Sequence, residues 1–123
     1  MSKTILIADD ESHILNVISL KLRNAGFKVV VACDGGEALA KARQQRLDML
    51  ITDFHMPVLT GMDLCLRLRK HEGIKLPAIL LTARGNELSQ TELAAGGIVE
   101  VVSKPFSPRL LLDAVNRHLQ AAA

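Results

Sequence analysis

The sequence predicts a doubly wound α/β sandwich, and three observations carry that prediction. Short apolar runs alternate with longer amphipathic stretches five times along the chain. The runs are rich in Ile, Val and Leu and mostly lack period-two alternation, as parallel strands covered on both faces do. The connections are short, and parallel strands joined through helices require right-handed crossovers. A length of 123 residues suits one domain around a single core. Residues 1–123 are therefore expected to form one domain with no second one following.

The elements follow in order. Thr4–Ala8 (TILIA) is the first strand. Glu11–Ala25 is a helix carrying Leu15, Ile18, Leu22 and Ala25 on one face, with Ile14 and Val17 beside them, and it ends at Gly26. Phe27–Ala32 (FKVVVA) is the second strand, and Asp34 is the expected cap of a second helix carrying Ala38, Leu39 and Ala42. Met49–Thr52 (MLIT) is the third strand; Asp53 follows it, and Pro57 keeps the chain from continuing as strand. Thr60–His71 is the third helix and Ala78–Thr82 (AILLT) the fourth strand. Asn86–Ala95 is the weakest helix, with only Leu88 and Leu93 as large apolar anchors, so it is expected to be loosely packed. Ile98–Val102 (IVEVV) is the fifth strand, and Ser107 with Pro108 opens a last helix carrying Leu112, Val115 and Leu119. Ala121–Ala123 reads as a frayed end.

Composition excludes several functions. Hydrophobic residues at 49% and charged residues at 23% describe a globular soluble chain, and no apolar run approaches the ~20 residues of a membrane span. The N-terminal MSKTILIADD lacks a signal-peptide pattern, so a cytoplasmic setting is expected. Cys33 and Cys65 are isolated, which argues for buried reduced thiols rather than zinc ligands or a disulfide. A net charge of +2 without a basic run argues against direct nucleic-acid binding. The absence of Tyr and Trp removes any base-stacking platform and weighs against a flavin site.

In an open parallel sheet, ligands bind beyond the carboxyl ends of the strands. There the sequence sets Asp9 and Asp10 after the first strand, Asp53 after the third, Thr82 and Ala83 at the fourth, and Lys104-Pro105-Phe106 after the fifth. Carboxylates brought together cannot all stay ionised without a counter-ion. An all-oxygen donor set, free of His and Cys at these positions, favours Mg²⁺ over zinc. A site of metal, carboxylate, hydroxyl and ammonium suits phosphoryl transfer: Lys104 and the metal neutralise the phosphoryl oxygens, and Thr82 donates a hydrogen bond. One carboxylate can act as nucleophile and form an acyl phosphate. Asp53 is the best candidate, because Asp9 and Asp10 are paired as metal ligands usually are.

Taken singly, each position has an ordinary reading. Asp53 would be a solvated strand end, Asp9-Asp10 an N-cap, Thr82 a β-branched strand residue and Lys104 a surface lysine. The combination favours chemistry. His55 and Arg84, each two residues past Asp53 and Thr82, are either exposed loop residues or groups lining the mouth of the site, where they would tune the access of water. His13 reads as a surface residue, and Phe106 as a packing anchor beneath the Lys-Pro turn.

ADD at 8–10, DFHMP at 53–57, TA at 82–83 and KPF at 104–106 together resemble the receiver domain of bacterial two-component response regulators, over the whole chain. Gly61 and Gly97 also stand where such domains usually have glycine. The resemblance implies a flavodoxin-like fold with strand order 2-1-3-4-5. It implies that Asp53 accepts a phosphoryl group from the phosphohistidine of a sensor histidine kinase or phosphotransfer protein. Asp10, Asp53 and the backbone carbonyl of His55 would ligate Mg²⁺, with Asp9 acting directly or through water. Lys104 would bind a phosphoryl oxygen, Thr82 would move inward toward the phosphate, and Lys104–Pro105 would be a cis peptide. The partner is then a downstream protein or the chain's own effector domain, with no membrane involved and no external substrate turned over. One position departs: where family members often have Tyr or Phe three residues before the lysine, this chain has Val101, without a large rotamer switch or a hydroxyl.

Two rival functions are disfavoured. A phosphohydrolase of the haloacid-dehalogenase type would carry a second acid where His55 stands, and a flavodoxin-like cofactor binder would not place three acids in its phosphate loop.

Overall fold

A computed structural model describes residues 2–83 and 88–119. Among the described residues five strands alternate with five helices: β1 (Thr4–Ala8), α1 (Ser12–Asn24), β2 (Lys28–Ala32), α2 (Gly35–Gln44), β3 (Met49–Asp53), α3 (Gly61–Lys70), β4 (Ala78–Thr82), α4 (Gln90–Ala95), β5 (Ile98–Ser103) and α5 (Pro108–His118). The strands form one parallel sheet in the order β2-β1-β3-β4-β5, as the resemblance to receiver domains implies.

The side chains alternate between two cores. Ile5, Ile7, Met49, Ile51, Ile79 and Leu81 point to one face, which α1 and α5 cover with Leu15, Ile18, Leu22, Leu111, Ala114 and Val115. Leu6, Ala8, Leu50 and Ala78 point to the other, under Ala38, Leu39 and Ala42 of α2 and Leu64, Cys65 and Leu68 of α3. Because helices shield both faces, β3 and β4 are buried at every residue. The edge strands differ from the expectation of uniform cover: β2 and β5 are largely half-exposed, since each lacks a neighbour on one side. β5 is also irregular where it pairs with Ala78 and Ile79, and Val99 there is 43% exposed.

The termini shift by small amounts with physical causes. Phe27 fills the core but precedes β2, and Glu11 is the cap of α1 rather than its first residue. Asp34, Thr60, Ser89 and Ser107 cap the other helices, each accepting a hydrogen bond from the backbone N–H three residues on. α4 starts at Gln90, after Leu88, whereas Asn86, part of the expected helix, lies outside the described residues, as does the Ala121–Ala123 tail. In α5 the buried stripe is Leu111, Ala114 and Val115; Leu112 flanks it half-buried, and Leu119 lies just past the helix end. Cys65 is buried as expected and its thiol is pushed up to about 12 by burial, but Cys33 is exposed, because it sits past the end of β2 in the turn to α2. No helix among the described residues is long and apolar enough to cross a membrane.

Candidate functional site

The register of the sheet sets the site. Ala8 of β1 pairs with Thr52 of β3, so the next residues, Asp9 and Asp53, leave neighbouring strands side by side. Asp53 is itself the last residue of β3, aligned with Leu81, not a residue beyond the strand. Asp9 is fully buried and Asp53 is 7% exposed, whereas Asp10 faces solvent. One carboxylate oxygen from each of Asp9, Asp10 and Asp53 lies within 4.8 Å of the others.

Lys104 enters from the end of β5. Its backbone N–H donates to the carbonyl of Thr82 at 2.8 Å, and its peptide bond to Pro105 is cis. Its ammonium stands 3.1 Å from Asp53 Oδ1, 3.3 Å from Asp9 Oδ2 and 3.5 Å from Glu11 Oε1. Thr82, buried at the end of β4, pairs across to Ser103. The structure thus gathers Asp9, Asp10, Asp53 and Lys104 at one sheet edge, with Thr82 one strand away from Asp53.

The loop from β3 to α3 wraps this edge closely. Phe54 N–H donates to the Leu81 carbonyl and Gly61 N–H to the Phe54 carbonyl, both at 2.8 Å. A side chain at Gly61 would collide with the Asp53 carbonyl, which is why only glycine fits there. Within the loop, His55 is exposed, its ring edge-on to Phe54 with centroids 4.7 Å apart. Val58 is held at φ 76°, a strained conformation for a β-branched residue. Arg84, the other position expected at the mouth, lies outside the described residues.

The electrostatics are those of an incomplete neutralisation. Burial pushes the Asp9 carboxyl up, and the neighbouring Asp53 charge adds to that; the Glu11 N–H, at 2.9 Å, and Lys104 work against it. Burial likewise raises Asp53, with Asp10 adding to it and Lys104 opposing. For Lys104, burial favours the neutral amine, but Asp53 and then Asp9 outweigh it and hold the ammonium above its usual value. Three carboxylates against one ammonium leave a surplus of negative charge in a partly dry pocket. A hard divalent cation with oxygen ligands fits that surplus and that donor set. Among the described residues, Glu11 is a member that sequence reasoning missed. Its signal is its place directly after the acid pair, which registers there only as the start of a helix.

A model of the response regulator receiver domain matches residues 5–116, and the chain belongs to this family. It is the receiver domain of a two-component response regulator. Among its relatives, the alkaline phosphatase synthesis transcriptional regulatory protein PhoP of Bacillus subtilis is 36% identical over 109 residues, 89% of this chain and 45% of that protein. Response regulator GtcR of Aneurinibacillus migulanus is 39% identical over 117 residues, 95% of this chain and 46% of that protein. The chain spans about half the length of the curated relatives it matches. Among solved structures, chemotaxis response regulator CheY4 of Vibrio cholerae superimposes with a TM-score of 0.88 at 35% identity, covering 97% of this chain and all of that one.

Proposed function

We propose that this chain is a phospho-accepting switch in which Asp53 takes a phosphoryl group from the phosphohistidine of a sensor histidine kinase or phosphotransfer protein. The observation that carries the reading is a buried carboxylate, Asp53, 3.1 Å from an ammonium and beside two further carboxylates. An Asp53 carboxylate oxygen attacks phosphorus as the P–N bond breaks, and the imidazole leaves with that bond's electron pair. The new O–P bond is an acyl phosphate.

Asp9, Asp10 and Asp53, with the carbonyl of His55, would hold Mg²⁺, Asp9 directly or through water. Bound there, the ion supplies positive charge to the phosphoryl oxygens. Lys104 keeps its ammonium on an oxygen of the group being transferred, and Thr82 donates its hydroxyl to another. His55, exposed on the loop after Asp53, governs how water reaches the acyl phosphate. Residues 1–123 act as one receiver domain that promotes its own phosphorylation and hydrolysis and turns over no external substrate.

The added charge and acceptor oxygens bias the surface formed by α4, β5 and α5. That surface binds a downstream protein or an effector domain of a longer chain, in the cytoplasm, without itself touching nucleic acid or membrane. The relative PhoP is by name a transcriptional regulator, so a transcriptional output in a longer protein is compatible with this reading. Incubation with phosphoramidate and Mg²⁺, followed by intact-mass measurement, tests it. One added phosphoryl group is expected on the wild type, and none without Mg²⁺ or in Asp53→Asn. Labelling that persists in Asp53→Asn would overturn the assignment.

A further inference from the structure

Four of the five helices begin on a side chain that caps the first turn: Asp34, Thr60, Ser89 and Ser107. α1 does not. Its cap position is Glu11, in extended backbone at φ −95° and ψ 108°, and the side chain makes no capping bond. Short polar residues are preferred there because their oxygen reaches the free N–H groups of the first turn. The Glu11 carboxylate reaches instead across the sheet edge to Lys104 Nζ, 3.5 Å away, while its backbone N–H holds Asp9 Oδ1 at 2.9 Å. Lys104 therefore shares three carboxylates, of which Asp9 and Asp53 are buried and Glu11 is 60% exposed. The buried two belong to the acid cluster. Glu11 belongs to neither the metal set nor the acceptor. A local rule broken at one helix alone, beside the site, points to a demand of function.

We propose that Glu11 is a positioning residue that draws the Lys104 ammonium toward solvent in the resting state and must release it before Lys104 can follow the phosphoryl oxygens. This rests on the phospho-accepting reading of Asp53. Before transfer, the ammonium balances charge on Asp53, Asp9 and Glu11. After transfer, the negative charge sits further out, on the phosphoryl oxygens, and Lys104 must turn toward them. Of its three contacts the one to Glu11 is the longest and most exposed, and it is the one that breaks. An exposed pair is weak, so Glu11 sets the rate within a few-fold and does not decide whether transfer occurs.

The test is the rate of Mg²⁺-dependent labelling by phosphoramidate, read by intact mass, in the wild type, Glu11→Gln and Glu11→Asp, with a thermal melt of each. Both variants are expected to label about threefold faster, the size of effect that losing one exposed ion pair allows. Asp keeps the charge but is shorter by one carbon–carbon bond, about 1.5 Å, which takes it out of reach of Lys104. Asp is also a good cap, so Glu11→Asp is expected to melt at a higher temperature than the wild type while labelling faster. A merely structural role for Glu11 would not produce that combination. Glu11→Asp labelling at the wild-type rate while Glu11→Gln is faster would mean that Glu11 only repels the donor, and the proposal would fall. It would fall equally if both variants matched the wild type. A wild type that takes no label would overturn the phospho-accepting reading itself, and this inference with it.

Discussion

The centre of the sheet and its β5 flank are built differently. At the centre, β3 and β4 are buried at every residue and sit between α1 and α5 on one side and α2 and α3 on the other. At the flank, α4 is a six-residue helix with no buried residue, and β5 is half-exposed along its length. α4 is well started, with a complete capping box from Ser89 and Glu92, yet it buries no residue, so local bonds set its start and little apolar burial anchors it. The centre sets Asp9 and Asp53 side by side on neighbouring strands, 3.3 and 3.1 Å from the Lys104 ammonium. The flank has little apolar burial to hold it in one place, which is what the proposed switch asks of it.

Core truncation should separate the two regions most strongly. Ile51→Ala, at a fully buried position, is expected to cost about 3–4 kcal/mol in urea unfolding, and Leu93→Ala, half-buried on α4, less than about 1 kcal/mol. Equal costs would mean that α4 is packed as firmly as β3.

A smaller effect concerns the charge held at the centre. Burial raises the folded-state pKa of Asp9 above its unfolded value of 3.8, so the ionised group opposes folding at neutral pH, and stability rises as pH falls toward 3.8. Asp9→Asn is therefore expected to stabilise the protein by about 1 kcal/mol at pH 7 without Mg²⁺, and to lose much of the stabilisation that Mg²⁺ gives the wild type. Thermal melts with and without the ion check both.

The flank carries the opposite sign. Glu100 of β5 accepts from Arg117 of α5 and stands 2.9 Å from His118 Nε2, and the Arg117 pairing, helped by His118 and opposed by burial, lowers its pKa. That contribution is complete above the unfolded value of 4.5 and is lost as pH falls below it. Glu100→Gln should slightly flatten the stability profile below pH 4.5, whereas Asp9→Asn should flatten the part of it just above pH 3.8. Smallest of all is the effect of Val101→Ala on labelling by a phosphodonor. Val101 lies on β5 and belongs to neither the acid cluster nor its Lys104 ion pairs, so the rate should stay within about twofold of wild type.

The sequence carries the centre more clearly than the flank. Continuous apolar runs such as TILIA and AILLT read as strands covered on both sides, and the carboxyl ends of the five runs name Asp9, Asp10, Asp53, Thr82 and Lys104 without reference to coordinates. Edge strands have no such signature: FKVVVA and IVEVV read like the central runs, and their half-exposure follows from strand order alone. The α5 stripe shifts because Leu110, Leu111 and Leu112 are consecutive, and the tertiary fit, not the periodicity, selects Leu111. Glu11 escapes for another reason. Its partner lies 93 residues away, and a contact of that span is set by register and closure of the fold rather than by local pattern.

The most direct measurement locates the phosphoryl group. Treating the phosphorylated protein with borohydride reduces an acyl phosphate to the alcohol, which at an aspartate leaves homoserine, and peptide mass mapping then reads the position. Homoserine at position 53 alone is the predicted result. Its appearance at position 9 or 10, or a phosphoryl group retained on His55, would contradict the account.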